Sequence, residues 1–219
     1  TTTAPVTFRL FFVNGNTLWQ TDGTDAGTVS VMTFASPPSN LIDANARLYF
    51  TADDGTGSGV ELWTSDGTTT SMVKDIQPGA GGSSPTNLLA IGGTVYFSAD
   101  DGTHGRELWR TDSTLGAVMI KDINPAGSSN PSKLFNFEGT IVFTADDGTH
   151  GVELWQSDGS ADPAHEGMSY KWDLSSLIAA KAPGKTAVVA TDTNPLYTYW
   201  LYDFPAVGGA GGVSEAAHQ

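Results

Sequence analysis

The feature that most constrains this chain is an internal repeat of about 46 residues. Trp63, Trp109 and Trp155 are spaced 46 residues apart, and each ends a Glu-Leu-Trp triplet. In each copy an apolar run and an Asp-Asp-Gly turn precede the triplet, and a Ser/Thr-Asp pair follows it closely. Self-similarity at such a period is typical of repeat architectures, in which each copy is one supersecondary unit.

Two less regular copies flank these three. Trp19 lies 44 residues before Trp63, and Leu201-Tyr202 replaces Leu-Trp 47 residues after Trp155 when the tyrosine is aligned with the tryptophan. The chain therefore holds five copies.

Each copy has the pattern of four short strands. In the third copy the apolar runs predict strands at 87–91, 94–99, 107–111 and 117–123. Gly-Gly and Asp-Gly pairs separate such runs, and they favour hairpins because glycine adopts positive φ without steric cost. Four strands per copy predict an all-β fold, a five-bladed β-propeller of four-stranded blades.

The predicted propeller is a single domain, 1–219. Its blades cover roughly 8–40, 41–85, 86–131, 132–176 and 177–219. The first copy lacks an apolar run for its first strand, which residues 1–7 or 211–216 would have to supply if the ring closes.

Charge and composition exclude several classes of function. The formal net charge is −14, and only ten lysines and arginines are present, without a basic cluster. Such a surface repels phosphate backbones, so we expect no nucleic-acid partner. No apolar run approaches the length of a membrane span, so we expect no membrane insertion. The chain has no cysteine, which excludes disulfides and thiolate chemistry.

The repeat resembles a known family. Glu-Leu-Trp-Thr-Ser-Asp-Gly-Thr at 61–68, followed by Val-Lys-Asp-Ile at 73–76, is similar to the ELWxxDGT repeats of bacterial surface and secreted proteins, over roughly 8–204. The resemblance implies a secreted or cell-surface propeller, extracellular or periplasmic, often in adhesin-like or calcium-rich proteins, and it implies no reaction. The turn after each tryptophan is also similar to the Asp box of sialidase-type propellers. A weaker likeness, in architecture only, is to tachylectin-type five-bladed lectins.

The repeated tryptophans and glutamates are candidates for glycan binding. A sugar ring stacks on an aromatic face, and a glutamate two residues away projects from the same face of a strand. The alternative is that each tryptophan packs between adjacent blades while the leucine beside it faces the other way. The candidate ligand-binding residues are Trp19, Trp63, Trp109, Trp155, Glu61, Glu107 and Glu153.

The paired aspartates are candidates for calcium binding. Two adjacent carboxylates with loop carbonyls provide part of the six to eight oxygens that calcium requires. The alternative is ordinary turn chemistry, in which each side chain accepts hydrogen bonds from nearby backbone N–H groups. We expect no required cofactor, with calcium as the candidate ion. The aspartates are Asp53, Asp54, Asp100, Asp101, Asp146 and Asp147.

The repeat breaks in the fourth copy, where a longer loop brings together Asp162, His165 and Glu166. We interpret these residues as a partner-contact loop. The sequence contains no Ser–His–Asp spacing, phosphate loop or paired acid/base motif. The predicted function is therefore a non-catalytic extracellular binding or adhesion module for glycans or a surface protein. The alternatives are a structural subunit of a filament, coat or larger assembly, and a propeller glycosidase.

Overall fold

The computed structural model describes residues 9–160 and the strands Tyr170–Lys171, Ala187–Val189 and Trp200–Tyr202. The chain divides into two compact units, Thr1–Lys171 and Trp172–Gln219. The described residues form only β-strands and their connections, which confirms the all-β prediction. None of them belongs to a helix that could cross a membrane.

The described strands form five antiparallel sheets, four of them in the first unit. Sheet A consists of β1 (Leu10–Asn14), β2 (Thr17–Thr21) and β3 (Val29–Thr33). Sheet B consists of β4 (Ser39–Asp43), β5 (Leu48–Ala52), β6 (Glu61–Ser65) and β7 (Thr70–Lys74). Sheet C consists of β8 (Thr86–Ile91), β9 (Thr94–Asp100), β10 (Arg106–Asp112) and β11 (Gly116–Lys121). Sheet D consists of β12 (Ser132–Phe137), β13 (Thr140–Asp146), β14 (Val152–Ser157) and β15 (Tyr170–Lys171). Sheet E, in the second unit, consists of β16 (Ala187–Val189) and β17 (Trp200–Tyr202).

Sheets B, C and D are four-stranded meanders, in which each strand pairs with the next along the chain. The four strands predicted for the third copy match β8 to β11 within two residues at every end. Turn chemistry explains this match. The two-residue turn after the first strand begins with positive φ at Asn45, Gly92 and Glu138, the conformation that hairpin turns require.

Neighbouring sheets in the first unit pack a leucine of one sheet and a tryptophan of the next into a common apolar cluster. Leucine and tryptophan are adjacent on the strand that carries Glu-Leu-Trp, so their side chains point to opposite faces. Each is at most 7% exposed, and burial of one such side chain contributes about 1.5–3 kcal/mol. The pairs are Leu18 with Trp63, Leu62 with Trp109, and Leu108 with Trp155.

Strands at the same position in neighbouring sheets also contact one another. The first strands β4 and β8 are in contact, as are β8 and β12, and the fourth strands β7 and β11 also touch. Sheets B, C and D therefore repeat their internal order, and the first-strand contact between sheets B and C recurs between sheets C and D.

Sheet A differs from sheets B, C and D. Its strands correspond to the second, third and fourth strands of the others, because Phe12 pairs with Trp19 as Phe97 pairs with Trp109. Among the described residues, β1 pairs with β2 alone. The segments named for the first strand of this copy, 1–7 and 211–216, lie outside the described residues, so the missing first strand stays a prediction.

The contact between sheets B and C can be tested at Gly116, which has φ +77° and lies against the carbonyl oxygen of Val73 on β7. A Cβ at Gly116 would overlap this oxygen. We expect Gly116→Ala to lower the free energy of unfolding by about 3 kcal/mol, because backbone strain and overlap add together.

Gly92→Ala is the matched control, since Gly92 also has positive φ but no atom within 4 Å of the added Cβ. Its expected cost is about 1 kcal/mol, from backbone strain alone. Urea unfolding of both variants measures the difference, and equal losses would contradict the close contact between β7 and β11.

Candidate functional site

The glutamate of Glu-Leu-Trp binds the segment that leaves its own sheet. We call the residues that link one sheet to the next crossing segments: 34–38, 75–85 and 122–131. Glu61 is fully buried. Its Oε1 accepts hydrogen bonds from the backbone N–H of Gln77 at 3.2 Å and of Ser83 at 2.8 Å, and its Oε2 accepts the Ser83 hydroxyl at 2.5 Å.

Sheet C repeats this arrangement. Glu107 is fully buried. It accepts hydrogen bonds from the Ile123 N–H at 3.0 Å, the Ser129 N–H at 2.9 Å and the Ser129 hydroxyl at 2.5 Å. The short hydroxyl contacts match the length of charge-assisted hydrogen bonds to carboxylate.

The serine in each arrangement also contacts the following sheet. The Ser83 carbonyl accepts the Asp100 N–H at 3.1 Å, and the Ser129 carbonyl accepts the Asp146 N–H at 2.9 Å. We call this arrangement the Glu–Ser joint (Glu61 with Ser83, Glu107 with Ser129). It ties a glutamate of one sheet, through one serine, to the second strand of the next sheet.

The joint accompanies long crossing segments. The segments at 75–85 and 122–131 have eleven and ten residues, whereas the segment at 34–38 has five. At the corresponding position in sheet A, Thr17 replaces the glutamate and its hydroxyl lies 2.9 Å from that of Thr33. A long segment without regular hydrogen bonds has more backbone donors to satisfy, and the buried carboxylate accepts several of them.

Two opposing effects act on the pKa of each joint carboxyl. Burial raises the pKa of Glu61 and Glu107, because a charge is costly away from water. Hydrogen bonds from the serine and from backbone N–H groups lower the pKa but only partly offset burial. Both carboxyls are thus already hydrogen-bonded to the crossing segments. Their predicted role in glycan binding stays a prediction.

Three of the four candidate tryptophans have little accessible ring surface. Trp63, Trp109 and Trp155 are 5–7% exposed. The indole N–H of Trp63 donates to the Ala52 carbonyl at 3.0 Å, and that of Trp155 donates to the Ala145 carbonyl at 3.0 Å. This is the packing arrangement that the alternative interpretation predicts. Trp19 is only half-buried and stacks on Phe12, with ring centres 6.3 Å apart.

The paired aspartates shape the turn between the second and third strands. The first aspartate of each pair accepts the N–H of the glycine two residues on, and the second accepts the N–H of the threonine two residues on. These hydrogen bonds are the turn chemistry that is the alternative to calcium binding. Calcium binding stays a prediction. The pairs are Asp53 and Asp54, Asp100 and Asp101, and Asp146 and Asp147.

Two of these turns each present a histidine held by an aspartate. The Nδ1 of His104 lies 2.7 Å from Asp101 Oδ2, and the Nδ1 of His150 lies 2.8 Å from Asp147 Oδ2. The histidine side chains are 43% and 57% exposed. The hydrogen bond to Asp101, together with its charge, raises the pKa of His104. The hydrogen bond from His150 lowers the pKa of Asp147.

The turn before β14 and the start of that strand bring together three groups that suit a metal ion. One ligand atom from each of Asp147, His150 and Glu153 lies within 4.8 Å of the others. Imidazole with carboxylates is a donor set that Zn²⁺ accepts. The spacing of three residues between these groups was visible in the sequence, but the pairing of Asp147 with Asp146 drew attention to calcium instead. In sheet C the same spacing ends at Glu107, which the crossing segment already occupies.

The predicted partner-contact loop at Asp162, His165 and Glu166 lies outside the described residues.

Comparison with known proteins gives structural likenesses alone. No protein-family model and no curated protein matches this sequence. Among solved structures, the acylaminoacyl peptidase of Pyrococcus horikoshii is similar at a TM-score of 0.46 and 15% identity, over 87% of this chain and 28% of that chain. An acylaminoacyl peptidase in complex with Z-Gly-Gly-Phe-chloromethyl ketone is similar at a TM-score of 0.47 and 13% identity, over 92% of this chain and 33% of that chain. The computationally designed Ika8 protein is similar at a TM-score of 0.38 and 18% identity, over 74% of this chain and 49% of that chain. This chain spans less than half of each of them, and at these TM-scores the likeness carries no argument.

Removal of a joint carboxylate should be costly. Glu107→Ala leaves two buried N–H groups and one hydroxyl without their acceptor, so we expect a loss of about 2–4 kcal/mol in the free energy of unfolding. Thr17→Ala, at the same position in sheet A, is the matched control with an expected loss below about 1 kcal/mol. Denaturant titration measures both, and equal small losses would show that the joint adds little to stability.

The His104–Asp101 pair should make stability depend on pH. The pKa of His104 lies above its ordinary value of 6.5, so the stabilising contribution is complete below 6.5 and is lost as the pH rises through the raised value. We expect His104→Gln to lower the melting temperature more at about pH 5.5 than at about pH 9. Ser58→Ala, in the sheet B turn without a histidine, should give a difference that stays constant over this range. If His104→Gln lowers the melting temperature by the same amount at both pH values, the pairing of His104 with Asp101 does not contribute to stability.

Proposed function

We propose that this chain is a non-catalytic binding module built as a five-bladed β-propeller. Contacts between strands at the same position in successive sheets support the architecture, because blades around an axis place first strands together and fourth strands together. The five sequence copies set the proposed number of blades. We place the protein outside the cytoplasm, on its resemblance to repeats of bacterial surface and secreted proteins.

The proposed binding surface is the loop end of the sheets, formed by the Asp-Gly turns and the crossing segments. Each turn lies against the crossing segment that comes from the preceding sheet. A Cβ added to Gly102 would meet the Gln77 side chain, and one added to Gly148 would meet the Asn124 side chain. Carboxylates, amides, hydroxyls and imidazoles thus share one surface, which suits the hydroxyl groups of a glycan.

The observation that carries this proposal is the repeated, fixed histidine. His104 and His150 occupy equivalent turns, and the aspartate at Nδ1 orients each ring. The two histidine side chains are 43% and 57% exposed, and the pairing with Asp101 favours the protonated donor form of His104. Two such groups on neighbouring sheets suit a ligand with repeated hydroxyl or acidic groups, such as an extended glycan.

Glycan-array binding followed by titration of the best ligand tests the proposal. We expect the double variant His104→Ala/His150→Ala to weaken binding by about 10–30-fold, because each lost hydrogen bond contributes about 1 kcal/mol. Thr114→Ala, at an exposed position in the turn between β10 and β11 at the other end of sheet C, is the control and should leave the affinity unchanged.

Two results would contradict the proposal. An unchanged affinity in the histidine double variant would remove the loop end as the binding surface. The absence of any glycan ligand, together with a stable multimer by light scattering, would favour the alternative of a structural subunit.

A further inference from the structure

The turn between β13 and β14, together with the start of β14, gathers three side chains that carry metal-binding atoms. Asp147 and His150 lie in the turn, and Glu153 is the second residue of β14. One ligand atom from each lies within 4.8 Å of the other two. In the part of the chain that the structure describes, no other three aspartates, glutamates or histidines meet this closely.

The turn itself holds two of the three ligands in place. Oδ1 of Asp147 accepts the backbone N–H of Thr149 and that of His150, each at 2.8 Å. Oδ2 of Asp147 lies 2.8 Å from Nδ1 of His150. Two ligands of one Zn²⁺ ion, each bound at about 2.0–2.1 Å, are at most about 4.2 Å apart. The carboxylate and the imidazole are therefore already within the separation that a shared ion requires.

The third ligand, Glu153, differs from its counterparts in exposure. Glu61 and Glu107 are fully buried, whereas Glu153 is only half-buried. An ion from solvent therefore has access to the group. Because a carboxylate has two oxygens, one oxygen of Glu153 is sufficient to bind the ion, whichever donors the other oxygen accepts.

Sheet C has the same three residue types at the same spacing in a different arrangement. Asp101 Oδ2 lies 2.7 Å from Nδ1 of His104, as in sheet D. Glu107, however, accepts hydrogen bonds from the crossing segment through both of its oxygens. The three ligand atoms of sheet C, all on described residues, do not meet within 4.8 Å. The two turns are thus a matched pair, in which the sheet D turn alone gathers all three ligands.

We propose that Asp147, His150 and Glu153 bind one Zn²⁺ ion, independently of any glycan. One imidazole nitrogen and two carboxylate oxygens are ligands that Zn²⁺ accepts, and three protein ligands leave its fourth position for water. Ca²⁺ takes six to eight oxygens instead, so a nitrogen ligand does not suit it. The ion replaces the proton on Nδ1 of His150, which passes to water. The bound ion links the turn to the start of β14.

Isothermal titration of the untagged full chain with Zn²⁺ alone tests the proposal. We expect a saturable site that His150→Ala weakens by at least about 100-fold, because loss of a group that merely orients a ligand already costs about 10–100-fold. Asp147→Asn keeps the oxygen that accepts the backbone N–H groups and removes the charge. We expect it to weaken binding by at least about tenfold.

His104→Ala removes the equivalent histidine of sheet C and is the matched control, so it should leave the Zn²⁺ affinity unchanged. The His150 side chain is 57% exposed, so its replacement does not disturb the core, and a thermal melt checks that each variant is folded. No saturable binding, an equal loss in His104→Ala, or an unchanged affinity in His150→Ala would overturn the proposal. Saturable binding of Ca²⁺ in place of Zn²⁺ would also overturn it, and would favour calcium at the paired aspartates.

Discussion

A buried glutamate carboxylate holds three hydrogen-bond donors of a segment that has no regular secondary structure. Glu61 and Glu107 do this at the start of the strand that also carries the leucine and tryptophan of the sheet interfaces. The following serine then accepts an N–H from the next sheet. A long Gly- and Pro-rich segment thereby acquires a fixed path, and the faces that bear leucine and tryptophan are brought into register.

This constraint changes which residues suit a ligand. Repeated aromatic and acidic residues in the sequence suggest a sugar-binding site. In the structure Trp109 is buried, and Glu107 is buried and accepts hydrogen bonds from the crossing segment. In the proposed function, the exposed residues of the Asp-Gly turns are the ones that contact a ligand. The Glu-Leu-Trp triplet and the serine of the Glu–Ser joint are the same in sheets B and C. The exposed turn differs, with His104 in sheet C and Gly57-Ser58 in sheet B.

The sequence predicts strands and side-chain directions correctly where residues close together along the chain determine them. The strands of sheet C followed from apolar runs bounded by Gly-Gly and Asp-Gly turns, and the opposite directions of leucine and tryptophan followed from the alternation along a strand. The joint was not predictable in the same way, because Glu107 meets Ser129 across 22 residues of chain that include an irregular segment. Its visible signal was the recurrence of a serine before each Ser/Asn-Pro pair, at Ser83 and Ser129. The Asp147, His150 and Glu153 group has a regular spacing of three residues that is visible in the sequence, but the adjacent pair Asp146 and Asp147 is equally consistent with a calcium site or an ordinary turn.

Native-state hydrogen exchange of the crossing segments tests the joint most directly. The amides of Ser83 and Ser129 should exchange as slowly as those of the adjoining strands, because a buried carboxylate accepts each of them. The amide of Gly79, exposed in the same segment as Ser83, should exchange fast. If the two serine amides exchange as fast as that of Gly79, the glutamate does not hold the crossing segment and the account is wrong.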